Sequence, residues 1–248
     1  SLECSKHTTK AYSTSFSLAI RLLNKEYRNA IYSIYGFVRL ADEIVDTFHN
    51  YNKKKLLNQL RHSTKESIKE KISLNPIINS FQHTVNRYNI DWELVDSFLK
   101  SMEYDLDHTK CTNDSYKQYI RGSAEAVGLM CLYVFTTNRT TKYKDLKPYA
   151  ESLGSAFQKI NFLRDLSDDY NHLHRVYFPN LDISKFDNVQ KKSIEEDIEK
   201  EFIHALSGIK LLDKKAQKGV YLAFRYYVCL FNKIKNLDAS YILKNRVR

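Results

Sequence analysis

The chain has 248 residues, about the size at which single hydrophobic cores stop growing, so one domain over 1–248 is expected. Only 6 Gly and 3 Pro punctuate it, which excludes the turn-rich sandwich and α/β classes and predicts long helices. The formal net charge of +10 calls for an anionic partner, but the Lys residues are dispersed and no basic tail or RNA-binding motif occurs, so no nucleic acid is expected.

In chain order, apolar residues recur at helical spacing over 3–12, 28–48, 53–69, 76–88, 92–106, 116–135, 146–169, 193–209 and 220–237. Pro76 suits a first helical turn, and Asp91 is placed to cap the helix entering at Trp92. The stretch 12–16 reads as a short turn. Segment 171–185 breaks the pattern, with Pro179 inside HRVYFPNLD, and reads as a loop or flap after an acidic helix end. Cys4, Cys111, Cys131 and Cys229 lie far apart with no C-x-x-C pair, which argues against a zinc site or a disulfide framework and for a reducing, cytoplasmic setting. The longest apolar run, 127–135, is shorter than the ~18 residues of a membrane span, and no signal peptide opens the chain.

Two acidic clusters carry the chemistry. In YGFVRLADEIVD, at about 100° per residue, Tyr35, Arg39, Asp42 and Asp46 share one helical face. In GSAFQKINFLRDLSDD, Gln158, Asn161, Asp165 and Asp169 do the same. One such stripe is most often an exposed, salt-bridged surface. Two, each set among apolar residues and each accompanied by an arginine (Arg39, Arg164), point to carboxylates that need a cation. Hard oxygen donors suit Mg²⁺, which takes one or two carboxylates and completes its shell with water and substrate phosphate.

Other features are weaker. Gly122, Ser123, Ala124 and Gly128 either open room for a ligand or let helices pack closely, and close packing is the commoner reason. Phe16, the 18 Tyr and the 13 Phe serve packing in the first instance. Asp105, in SMEYDL, reads as support for the core without chemistry. His172 and His174 have no third zinc ligand nearby and read as solvent-facing.

The motifs DEIVD, preceded by Arg39, and NFLRDLSDD, followed by RVYFP, resemble the two aspartate-rich motifs of the squalene and phytoene synthase family. YSTSF at 12–16, YIRGSAEAVG at 119–128 and the 227–246 end also resemble family segments in the same order, so the likeness covers nearly the whole chain. The resemblance implies an all-α, isoprenoid-synthase-type helical bundle with a central apolar tunnel. It implies Mg²⁺, with Mn²⁺ as a substitute, held by Asp42, Asp46, Asp165 and Asp169 with Asn161. It also implies diphosphate contacts from Ser13, Ser15, Arg39, Arg164, Arg175 and Tyr177, and further binding positions at Tyr35, Gln158, Tyr227 and Arg246. Phe16, Val127 and Gly128 would line the tunnel, and Tyr119 would act near the carbocation.

The implied reaction joins two prenyl diphosphates head to head through a cyclopropyl diphosphate. The short chain without a terminal anchor looks like the bacterial carotenoid-type members, which favours two geranylgeranyl diphosphates giving phytoene. Squalene or dehydrosqualene from farnesyl diphosphate is the alternative, with NADPH required only for squalene. A hydrocarbon product and the basic balance suggest peripheral membrane contact. Rival readings are a head-to-tail prenyl synthase or class I terpene cyclase, a non-catalytic basic helical module binding RNA or anionic membranes, and a family member retained as an assembly partner. The oligomeric state is open.

Overall fold

The computed structural model describes residues 1–107, 111–137, 140–173, 175–179, 181 and 183–247, with backbone alone at 140, 141, 172, 173 and 184. Its elements are α1 (Leu2–Tyr12), α2 (Thr14–Leu22), α3 (Lys25–Asp46), α4 (Lys53–Glu70), α5 (Pro76–Tyr88), α6 (Trp92–Asp107), α7 (Asn113–Ile120), a π-helical turn (Arg121–Glu125), α8 (Ala126–Phe135), α9 (Thr140–Leu173), a 3₁₀ turn (Ile183–Lys185), α10 (Asn188–Leu211), α11 (Lys214–Lys235) and α12 (Ala239–Ile242). The all-α expectation holds.

Local chemistry fixes the helix starts. The Asn24 side chain accepts from Glu26 N at α3, Asn75 accepts from Ile77 and Ile78 N just ahead of Pro76 at α5, and Asp187 accepts from Val189 and Gln190 N at α10. Each cap satisfies orphan donors and is worth about 1 kcal/mol. Asp91 does something else with its carboxylate, which accepts the Tyr133 hydroxyl, while its backbone carbonyl receives Leu94 N.

Two apolar clusters form the interior. One gathers α3, α5, α6 and α8, where Phe37 lies fully buried and stacked on Phe81 with ring centroids 3.9 Å apart. The other gathers α9, α10, α11, the flap residues Tyr177 and Phe178, and the C-terminal segment through Val247. A buried Phe or Ile side chain contributes about 1.5–3 kcal/mol, so these faces hold the bundle together.

The structure departs from expectation at several boundaries. Residues 14–22 form α2, because Ser13 ends α1 and at once caps the next helix by accepting Phe16 N at 3.2 Å. Helix α9 starts earlier than 146, runs through Pro148 and continues to Leu173, so the first residues of the expected loop are helical. The expected helix 116–135 is interrupted by the π turn at 121–125. His174 lies outside the described residues, as does the side chain of His172. All four cysteines are free thiols. Among the described residues, no helix is long and apolar enough to cross a membrane.

Candidate active site

A cavity of about 590 Å³ opens between α2, α3, α6, α8, α9 and α11. Asp42 and Asp46 reach it from α3, and Gln158, Asn161, Asp165 and Asp169 from α9. The two stripes therefore meet at one hollow, because both helices turn the same face inward that carries their acids. Below them the wall is apolar, with Leu23, Val127, Leu132, Phe135, Leu153 and Val220.

The acids are short of counter-charge. Burial first, then the neighbouring Asp46, pushes Asp42 up to about 7, with Arg39 opposing. Burial and Asp165 push Asp169 up to about 7, with Arg175 opposing. Asp46 is also raised by burial. Asp42 keeps about a third of its side-chain surface open (30 %), and as a wall residue it opens onto the cavity. Among the described residues, no three His, Cys, Asp or Glu groups gather tightly enough to hold an ion by themselves. A divalent ion bound there by one or two carboxylates plus phosphate and water fits this donor set.

The arginines are already engaged. Arg39 pairs with Glu43, approaches Asp42 at 3.8 Å and lies 4.0 Å over the Tyr12 ring, while its Nε is buried with no acceptor among the described residues. Arg164 donates from Nε and Nη2 to Asp165, whose Oδ1 also accepts Arg246 Nε at 2.7 Å. Arg175, at the start of the flap, is tied to the end of α9 through its backbone N and Asp169 O, 2.9 Å apart. Its Nη2 donates to Asp105 O at 2.8 Å and its Nη1 to the Tyr177 hydroxyl at 3.4 Å.

Asp105 is the residue that sequence reasoning underrated. Its Oδ2 accepts the Tyr119 hydroxyl at 2.7 Å and its Oδ1 the Tyr177 hydroxyl at 3.0 Å, and it lines the cavity. Burial raises it to about 6, and Arg175 with the two hydroxyls limits the rise. The signal was in the pattern, for Val95, Phe98, Leu99 and Met102 mark the buried face of α6 and Asp105 falls on it. Tyr119 is buried, and that burial holds its phenol protonated. Phe162 stacks on Tyr177 at 4.2 Å, and Phe157 on Tyr227 at 3.8 Å. Tyr227 also donates to Asn161 Oδ1 at 3.2 Å, and Phe16 lies 4.8 Å from Tyr35. Aromatic faces thus cover much of the wall near the acids.

Of the expected binding residues, Ser13, Phe16, Tyr35, Arg39, Val127, Gly128, Gln158, Arg164, Arg175, Tyr177 and Tyr227 line the cavity. Ser15, in the first turn of α2, is not among the residues that line it. Arg246 is also outside the wall, half-exposed on the rim beside Asp165. The small residues divide. Gly122 serves packing, since a Cβ there would meet Ser97 O at 2.6 Å, whereas Ser123, Ala124 and Gly128 face the cavity.

The model of the squalene/phytoene synthase family matches residues 9–248. The chain is 23 % identical to the 4,4'-diapophytoene synthase of Staphylococcus haemolyticus over 96 % of its own length and 87 % of that protein. It is 25 % identical to a phytoene synthase of Mycobacterium bovis over 71 % of its own length and 57 % of that protein. Among solved structures it resembles a dehydrosqualene synthase in complex with ligand, with a TM-score of 0.80 at 21 % identity over 94 % of this chain and 95 % of that one. It likewise resembles a squalene synthase from Alicyclobacillus acidocaldarius, with a TM-score of 0.80 at 17 % identity over 94 % and 92 %. A family match over nearly the full length, joined to this fold and this acid-rimmed cavity, identifies the chain as a member of the squalene/phytoene synthase family.

Proposed function

We propose that the protein condenses two prenyl diphosphates head to head in a Mg²⁺-dependent reaction, taking two geranylgeranyl diphosphates to phytoene. The observation that carries this reading is the convergence of two acidic helix faces, three arginines and an aromatic wall on the mouth of one apolar cavity. A second reading, farnesyl diphosphate giving dehydrosqualene or squalene, draws its support from the similarity to the staphylococcal diapophytoene synthase.

Asp42, Asp46, Asp165, Asp169 and Asn161 are the groups that would hold the metal. Bound there, Mg²⁺ would supply charge stabilisation for the departing diphosphate. Arg39, Arg164 and Arg175 stand beside these acids, and phosphate oxygens would take over as acceptors from the carboxylates at Arg39 and Arg164 and from the Asp105 carbonyl and Tyr177 hydroxyl at Arg175, with the unpartnered Arg39 Nε already waiting for one. Ser13 adds a hydroxyl at the same mouth.

The allylic cation that results must meet the second prenyl chain before it meets water, which the apolar wall favours by exclusion. Ring faces of Phe16, Phe157 and Tyr227 offer their negative quadrupole to it. Tyr119, a residue of the cavity wall, gives its proton in a hydrogen bond to Asp105, so its phenol stays neutral beside the cation. The first coupling would release one diphosphate and one proton to give the cyclopropyl diphosphate, and its ionisation at the same site, with rearrangement of the cation and loss of a second proton, would give the linear triene.

The test is to incubate the protein and Mg²⁺ with geranylgeranyl or farnesyl diphosphate, each with and without NADPH, and to identify the hydrocarbon by mass spectrometry. A symmetric forty-carbon hydrocarbon with a central conjugated triene, made from the longer substrate and independent of NADPH, is the expected result. A cyclised twenty-carbon product or a longer diphosphate overturns the reading. A thirty-carbon product alone selects the second.

A further inference from the structure

None of the chain's 29 Asp and Glu residues falls within 10–25 or 214–237. These stretches contain all of α2 and all of α11, and the two helices pack against each other. A Cβ at Gly219 would meet Leu23 Cδ2 at 2.4 Å and Ala19 O at 2.7 Å, so the backbones run very close. Their inner faces wall the cavity through Ala19, Ile20 and Leu23 on one helix and Gly219, Val220 and Ala223 on the other.

Their outer faces are apolar and cationic together. Leu18 is 38 % exposed, Leu22 51 % and Tyr221 44 %, and Leu211, at the end of α10 where the chain enters α11, is 57 % exposed. Arg21, Lys214, Lys218 and Arg225 are exposed between them and make no ion pair among the described residues. Asp213, the acid at the start of α11, directs an oxygen to Lys215 N as the helix cap. Some surface cations elsewhere are paired, as Lys54 is with Asp107 and Lys235 with Glu199, whereas here four unpaired cations stand among exposed apolar side chains on two helices that carry no acid.

We infer that the outer face of α2 and α11 docks on an anionic lipid bilayer, with Leu18 and Leu22 entering the headgroup boundary and Arg21, Lys214, Lys218 and Arg225 meeting lipid phosphates. Charge complementarity selects this occupant. A second copy of the same face would bring like charges together, and a nucleic acid would leave the leucines against phosphate. Interfacial binding uses the observed combination of apolar and basic side chains. The docked face is the outer side of a wall one helix thick over the cavity, so a hydrocarbon formed inside would have a short path into lipid there. That last clause rests on the proposed reaction, whereas the docking does not.

The test is cosedimentation of substrate-free protein with vesicles of phosphatidylcholine alone or with phosphatidylglycerol. Strong binding is expected only to the anionic vesicles. Lys218→Gln with Arg225→Gln should weaken it about fivefold per charge removed. Leu18→Gln with Leu22→Gln should weaken it further, while both variants keep turnover of detergent-dispersed substrate. The control Lys54→Gln with Lys55→Gln, in the densest basic run, should bind as the parent does. Equal loss in the control, unchanged binding in the α2 and α11 variants, or a concentration-dependent dimer abolished by the leucine changes would each overturn the inference. Because binding is read without substrate, a failure of the proposed reaction leaves this result readable.

Discussion

Tyr119 and Tyr177 converge on the Asp105 carboxylate and Arg175 on its backbone carbonyl, so this one residue of α6 organises groups from α7 and the flap at once. Asp105→Asn keeps the shape but places an amide where one hydroxyl now donates. We expect kcat to fall by about 10²-fold with a smaller change in KM, and a near-native circular dichroism spectrum. Asp42→Asn and Asp169→Asn should each reduce Mg²⁺-dependent turnover by at least about 10²-fold. Both should also raise the melting temperature of the metal-free protein at pH 8, because each removes a carboxylate that repels a neighbour. The sign of the pH dependence follows from the same groups. Asp42 and Asp169 are raised to about 7 and Asp105 to about 6, above their ordinary value of 3.8. The folded state then binds more protons than the unfolded state between pH 4 and 7. Their contribution to stability is complete below about pH 4 and is lost as the pH rises through 6 to 7. Thermal melts of metal-free protein at pH 5.5 and 8 should show this loss, and Mg²⁺ with inorganic diphosphate should restore more at pH 8. Proton competition for the same oxygens explains the difference.

At the scale of elements, glycine positions separate packing from function. A Cβ on Gly154 of α9 would meet Ala124 O at 2.8 Å and Glu125 Cα at 3.1 Å, all backbone of the π turn and its end. Neither backbone can yield cheaply, so Gly154→Ala should cost about 1–3 kcal/mol in denaturant melts. Gly128→Ala would meet Ala150 O at only 3.4 Å, an ordinary contact. It should leave stability unchanged or slightly improved, since Ala favours the helix, yet alter KM or product distribution because the methyl enters the cavity wall. The π turn itself inserts an extra residue into one turn and so re-phases the helix, which lets Ser123, Ala124 and Val127 face the cavity while Gly122 faces α6. Hydrophobic periodicity over 116–135 could not reveal that shift, because a π turn leaves the residue pattern on either side helical. Helix α2 escaped notice for another reason: nine residues are too few for periodicity to outweigh a run of Ser and Thr that equally suits a turn.

For the molecule as a whole, the distribution of charge matters more than its sum. Acids gather around the cavity and on α10, while α2 and α11 carry none, so a net charge of +10 is divided into an acid-lined cavity and a separate cationic face. Helix class, the order of the long helices and the two acidic faces were legible in the sequence, because a 3.6-residue repeat and a shortage of Gly and Pro are local properties of the chain. Which residues share the hollow was a matter for tertiary structure. Asp105 joined the cavity wall because α6 packs against the flap, and Ser13 joined it as the extended residue between α1 and α2. Arg246 reached Asp165 from 81 residues away. Spacing along a chain determines which side of a helix a residue occupies, whereas what that side faces depends on how separate helices pack, and those long-range contacts are written in no single segment.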